Sequence, residues 1–261
     1  MIRKSTLLVA LAVALVFVGT SCDTIVTLEK PNVSAAALDT DNGGTLRLTW
    51  TAVADAKSYE ITTDDSVYTT TATSFDVSTP SKTIDVKAVS GSDKSDPAVI
   101  DCQVVTTSSL LLYSISDASG NDPSGLSFTS GGTATGLSLD AANKPSIDFV
   151  CDDQQASVTP VGLINAGDYN WTPPSAKKNA LMDAGTTDFD AFREAASTGY
   201  TSQLKTDNNG VYILWLSTSN TWTASDHFCK VKILSVDQIS GYYKVTLQAA
   251  YQKIGGLRWL L

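Results

Sequence analysis

Between Leu46 and Trp50 the side chains alternate without a break: Leu46, Leu48 and Trp50 are apolar, Arg47 and Thr49 polar. A period of two places all three apolar groups on one face of an extended strand, whereas a helix would scatter them. The same pattern returns far down the chain in Tyr243, Val245, Leu247, Ala249 and Tyr251. Short apolar stretches over 58–61, 67–70, 74–77, 83–89 and 98–105 are separated by Thr, Ser, Gly, Pro and Asp. Closely spaced short strands with turn residues between them predict an all-β chain folded as sandwiches. Charged residues make up only 17% of the chain, below the roughly 25% of ordinary soluble domains. Ser, Thr, Asp and Asn supply the polar surface instead, and these serve turns and caps better than long charged helices.

The second half reads the same way, with strands expected over 110–113, 125–129, 137–139, 147–151, 228–236, 242–251 and 257–261. Asp207-Asn208-Asn209-Gly210 marks a turn. The following stretch 211–217 is apolar on both faces and predicts a covered central strand. Helices are expected over 175–183 and 188–197, where Phe189, Phe192 and Ala196 share a helical face. Residues 106–109 read as a linker. The chain thus divides into a signal segment (1–21), a tether (22–30) and two β-sandwich domains (31–105 and 110–261).

Arg3 and Lys4 precede an apolar run over 7–18, too short for the roughly 20 residues that cross a bilayer. Gly19-Thr20-Ser21 before Cys22 resembles a bacterial lipobox. That resemblance implies cleavage before Cys22 and acylation of its thiol and new amino group. The protein would then sit in the cell envelope, lipid-anchored to a bacterial membrane, periplasmic or surface-exposed. Ordinary secretion with cleavage near Ser21 is the other reading. The net charge of −9 grows more negative once Arg3 and Lys4 are removed. Such a surface repels phosphate backbones and anionic headgroups. Nucleic acid is therefore not an expected partner, and membrane contact falls to the lipid.

Residues 31–105 resemble a fibronectin type III domain. The resemblance is carried by Trp50 in Leu48-Thr49-Trp50-Thr51-Ala52, Tyr59 in Ser58-Tyr59-Glu60-Ile61, and Ile84-Asp85-Val86-Lys87-Ala88-Val89 before Ser95-Asp96-Pro97. It implies a sandwich acting as spacer or scaffold. The stretch 125–259 resembles the HmuY-like haemophore lipoproteins in Leu126-Ser127-Phe128, Gly210-Val211-Tyr212-Ile213-Leu214, Lys230-Val231-Lys232-Ile233-Leu234 and Ala250-Tyr251-Gln252. This resemblance implies fold. The family's two-histidine haem ligation is not carried over, because His227 is the single histidine.

With Cys22 assigned to the anchor, Cys102, Cys151 and Cys229 remain. Alternation puts Cys151 on the face of Ile147 and Phe149, and Cys229 on the face of Val231 and Ile233. Both point inward and are candidates for a disulfide if their backbones come within about 7 Å. Two separate buried thiols are the alternative. Cys102, in step with Ile100 and Val104, reads as an inert thiol in the first domain.

His227 follows Asp226 at a strand mouth, but no Gly-x-Ser-x-Gly elbow supplies a nucleophile. The stretch 39–44 (Asp-Thr-Asp-Asn-Gly-Gly) starts like a calcium loop, yet Trp50 stands where a closing bidentate Glu is needed. A turn accounts for it, as solvated strand ends account for Asp64-Asp65 and Asp152-Asp153. No CxxC, phosphate-cradling glycine loop or zinc spacing occurs, so no catalytic residue, metal or cofactor is expected. The binding signal lies in aromatics of loop-like sequence: Tyr169, Trp171, Trp222 and, less distinctly, Tyr200. Such rings stack on flat ligands or anchor protein contacts, or else pack against their own domain. Trp50 reads as core, and Trp215 and Trp259 as strand residues with structural roles. The expected function is non-catalytic binding or adhesion, with the second domain recognising a protein, glycan or small molecule. A haem or other small-ligand carrier and a small glycan-active enzyme with paired carboxylates are the competing classes.

Overall fold

The computed structural model describes residues 27–117, 123–172 and 174–261. Cys22, the signal segment and most of the tether lie outside these residues. The chain is all-β, and among the described residues no α-helix forms and no helix is long and apolar enough to cross a membrane.

The first sandwich is built from β1 (Val33–Ala37), β2 (Leu46–Trp50), β3 (Ser58–Thr62), β4 (Val67–Thr70), β5 (Ser74–Val77), β6 (Thr83–Ser90), β7 (Asp93–Lys94) and β8 (Ala98–Asp101). One antiparallel sheet runs β1-β2-β5; the other runs β4-β3-β6-β7, with β8 also pairing β6. The alternation does what it implies: Leu46, Leu48 and Trp50 meet Tyr59, Ile61, Ile84, Val86 and Ala88 between the sheets. Trp50 and Tyr59 pack edge to face at 5.1 Å, and the Val53 amide donates to the Tyr59 hydroxyl.

The second sandwich comprises β9 (Val105–Tyr113), β10 (Gly125–Phe128), β11 (Ala134–Leu137), β12 (Phe149–Asp152), β13 (Gly162–Asn165), β14 (Ala180–Asp183), β15 (Gln203–Lys205), β16 (Val211–Leu216), β17 (His227–Ile239) and β18 (Tyr242–Tyr251). Its sheets run β11-β10-β12-β13-β15 and β14-β16-β17-β18-β9. Between them lie Leu126, Phe149, Leu163, Tyr212, Leu214, Val231, Ile233, Val245 and Leu247. β16 is covered on both faces: Tyr212 and Leu214 point into this core, while Ile213 and Val211 face outer clusters.

Several expectations are corrected. Residues 106–109 are no linker but part of β9, where Thr106 and Thr107 pair with Ala250 and Ala249. A Thr/Ser run suits an edge strand with one wet face. Neither expected helix forms. Ala180–Asp183 is β14, paired with β16. Over 188–197 the carbonyls that would build a helical ladder are taken by distant side chains: Lys230 Nζ donates to Phe189 O (2.7 Å) and Phe192 O (3.0 Å), and Arg258 Nη1 donates to Ala195 O. Asp152 is no solvated strand end; it is buried and caps the amides of Gln154 and Gln155. Finally, 257–261 does not extend the second sandwich. Leu257 and Trp259 lie in the core of the first, with Trp259 Nε1 donating to Gly44 O at 2.9 Å.

Cys102, Cys151 and Cys229 are free thiols, so the disulfide considered for Cys151 and Cys229 is not formed here. Cys151 (on β12) and Cys229 (on β17) do both point into the second core, but from opposite sheets. Burial holds both thiols protonated, far above the usual thiol range. Cys102 is fully buried in the first core and is pushed up to about 12 by the same cause. Ile147 departs from the alternation and packs on the outer face with Val150 and Ile164.

Candidate functional site

Two hollows open on the second sandwich and share Asn179 as a common wall. Asn179 stands just before β14 and is buried, with both ends of its amide in use. Its Nδ2 donates to Asp148 O at 2.9 Å, and its Oδ1 accepts the Ser217 amide at 2.8 Å. It ties the segment before β14 to the strands on either side.

The first hollow, of 340 Å³, holds the residues that look most chemical: Asp148, Lys177, Asp226, His227, Ser217 and Ser225. All but the Nε2 of His227 are bonded within the fold. Asp148 Oδ1 is paired with Lys177 Nζ at 2.5 Å, and its Oδ2 accepts the Phe128 amide at 2.8 Å. Asp226 accepts from Trp215 Nε1 and the Thr223 amide, both at 2.9 Å, and from the Thr223 hydroxyl. The His227 ring stacks on Tyr251 at 4.9 Å, and Nδ1 lies 3.0 Å from Gln252 O. A carbonyl only accepts, so Nδ1 carries the proton in that bond. The Ser217 hydroxyl donates to Ser219 O, and the Ser225 hydroxyl bonds Thr223 Oγ1. Neither serine bonds His227, so the hollow lacks the nucleophile–base contact of acyl transfer.

The second hollow, of 380 Å³, is lined by Asn165, Asp168, Lys178, Asn179, Tyr200, Thr201, Ser202, Trp215 and Asn220, among others. Its aromatic wall is rigid. Trp215, on β16, is held by its bond to Asp226, lies parallel to Phe228 (13° between planes, 6.1 Å) and meets Tyr200 edge-on at 5.6 Å. The Tyr200 hydroxyl donates to Ala196 O, and burial raises its pKa well above the phenol range, so it stays protonated. Around this wall stand Asp168, Lys178, Ser202 and Asn220, all exposed. Their side chains make no hydrogen bond or ion pair to other described residues. The first hollow has spent its carboxylates and its lysine on the fold; the second has kept a carboxylate, an ammonium, a hydroxyl and an amide unspent.

The aromatics singled out from sequence do not gather in one place. Tyr169 and Trp171 meet edge to face at 5.0 Å and pack over the outer face of the β12–β13 sheet against Ile147, Val150 and Ile164, with Lys144 Nζ over the Trp171 ring. Trp222 belongs to the cluster of Ile213, Phe228 and Leu260 on the other sheet, and its Nε1 donates to Gly256 O at 2.9 Å. Trp215, read from sequence only as a structural strand residue, instead lines the second hollow. Its place near the end of an otherwise buried strand was the available signal. Asp168, Lys178, Ser202 and Asn220 stand outside the strands and carried none.

The 39–44 stretch is a turn in which the Gly44 amide donates to Asp41 Oδ1 and Asn42 takes a φ of 54°. Among the described residues no group of three His, Cys, Asp or Glu side chains converges as a metal site. No protein-family model matches this chain, and no curated protein is similar to it.

Proposed function

We propose that this is a non-catalytic recognition protein, held outside the cytosol by a lipid on Cys22, whose second sandwich binds its ligand in the hollow beside Asn179. One observation carries the reading. Asp226, Asp148 and Ser217 are consumed by internal bonds and neither serine of that hollow bonds His227, while uncommitted polar groups collect around a fixed aromatic pair next door. Small-molecule sites have this makeup: apolar walls with a few polar groups free to fix orientation. The first sandwich serves as a spacer, and its two-sheet topology supports the fibronectin type III resemblance. The basic residues, apolar run and small residues before Cys22 support the anchor.

Two measurements test this. Metabolic labelling with a palmitate analogue should mark the wild type and not Cys22→Ala. A thermal-shift screen of the soluble fragment against haem, peptides and oligosaccharides should give a ligand whose binding perturbs the Trp215 indole N–H resonance. Ligands that bind only elsewhere, or none at all, overturn the assignment of the hollow.

A further inference from the structure

We infer that the ligand of the second hollow is a neutral carbohydrate, bound with one sugar ring against the Trp215–Tyr200 wall. The inference rests on the recognition reading above and names its ligand class. A pyranose is amphipathic in a particular way. One face presents C–H groups that lie flat on an aromatic ring, and the edge presents hydroxyls that both donate and accept. The hollow offers the complement of each.

Trp215 and Tyr200 supply an apolar wall whose geometry is fixed before binding. The Asp226 bond, the Phe228 stack and the Tyr200–Ala196 bond leave the rings little freedom to lose. Around them stand an acceptor-only carboxylate (Asp168), a donor-only ammonium (Lys178), a hydroxyl (Ser202) and an amide (Asn220). This set matches vicinal hydroxyls, which need donors and acceptors together, and its charged members strengthen the bonds they make. One carboxylate and one ammonium cancel, so the rim selects neither anionic nor cationic ligands. Haem fits poorly, since the only histidine lies in the neighbouring hollow, stacked on Tyr251. At 380 Å³ the space lies at the small end of the range of about 300–1,000 Å³ for ligand pockets. That accords with a chain end or a short segment rather than a long polymer face.

The test uses an array of neutral, sialylated and sulfated oligosaccharides, followed by isothermal titration with the neutral compounds that score. Neutral glycans should bind the wild type. The double substitution Asp168→Ala/Asn220→Ala should weaken binding at least tenfold with an unchanged melting temperature, because both side chains are exposed and uncommitted. Trp215→Ala should abolish binding but also removes the Phe228 stack, so the exposed pair is the deciding variant. No neutral glycan bound at millimolar concentration, a preference for charged glycans, or binding indifferent to the double substitution each overturns the inference. A non-carbohydrate ligand lost in that double variant overturns the sugar assignment alone and leaves the recognition hollow standing. Loss of both readings requires that no ligand of any class depends on it.

Discussion

The two sandwiches share an architecture and differ in how their interiors are closed. The second fills its core from its own stretch of chain, between β9 and β18. The first does not: Leu257 and Trp259, from the far end of the chain, are fully buried among Leu46, Leu48, Ile61, Ile84 and Val86. The tail that delivers them continues from β18 and is clamped by Gln252, whose Nε2 donates to Cys102 O (3.0 Å) and Trp259 O (2.8 Å). Arg258 adds an ion pair to Glu194, and its backbone amide donates to Gly43 O. Small sandwiches bury a smaller fraction of their surface and are marginal on their own. Here the deficit is met by a plug that exists only once β18 is formed. The first sandwich therefore depends on the second for part of its core, while the second core takes no residue from the first.

The largest expected effect comes from removing the plug. Trp259→Ala deletes a fully buried indole and its bond to Gly44 O, a loss of about 3–5 kcal/mol for a large aromatic in a core. Hydrogen exchange should show amides of β2 and β6 losing protection by about a hundredfold or more, since 1.4 kcal/mol is about a factor of ten, while β16 and β17 hold theirs. Leu214→Ala, in the second core, should cost about 2–5 kcal/mol and lower protection in both sandwiches, because the tail leaves with β18. Equal losses in both sandwiches for both variants would show one cooperative unit and end the asymmetry.

A smaller effect isolates the route of the tail. Gly256 has a φ of +73°, and a Cβ there would lie 2.6 Å from the Trp222 ring and 3.0 Å from Ala224 Cα. Gly256→Ala combines backbone strain with a clash at the point where the tail turns towards the first sandwich. It should cost about 1–3 kcal/mol, the range for strained backbone, read from the urea midpoint. Gly241, in the β17–β18 turn, has a φ of +98° and open space around it. Gly241→Ala should cost only about 1 kcal/mol from the left-handed backbone. A Gly256 variant no worse than the Gly241 variant would mean that the tail adjusts freely.

What sequence could reveal of this tracks how local the cause is. The faces of β2, β3, β6, β17 and β18 follow from alternation, which each strand carries within itself. The all-β class and the inward Cys229 follow with them. The fate of 188–197 does not, because its carbonyls are satisfied by Lys230 and Arg258, dozens of residues away. Likewise Leu257 and Trp259 alternate like any strand, and nothing local says which core receives them. The second hollow is hidden for a related reason. Asp168, Lys178 and Asn220 sit outside the strands without periodicity; the pairing of β14 with β16 brings Lys178 and Asn220 towards Trp215, while Asp168 comes from the turn after β13 in the other sheet.

The smallest effect at neutral pH, and the most specific, lies at the seam between the sandwiches. Lys230 lines a hollow of 430 Å³ there with Asp64, Asp65, Lys82, Asp190, Arg193 and Leu261. Burial lowers its pKa from 10.5 to about 8, with Lys82 adding to the shift and Asp190 and Asp188 opposing it. Between those two values the unfolded chain holds a proton that the folded chain has released, so folding gains stability as pH rises across the window. Lys230→Met removes the buried charge but leaves the carbonyls of Phe189 and Phe192 without their donor. These opposing terms nearly cancel at pH 7. Raising the pH from 8 towards 10 relieves the cost of charge in the wild type alone, while its amine still donates to both carbonyls. Urea midpoints of the two proteins should therefore separate in favour of the wild type as pH climbs. Parallel curves would mean that Lys230 keeps its ordinary pKa, and that the seam is wetter than the packing of Phe189 and Phe192 around it implies.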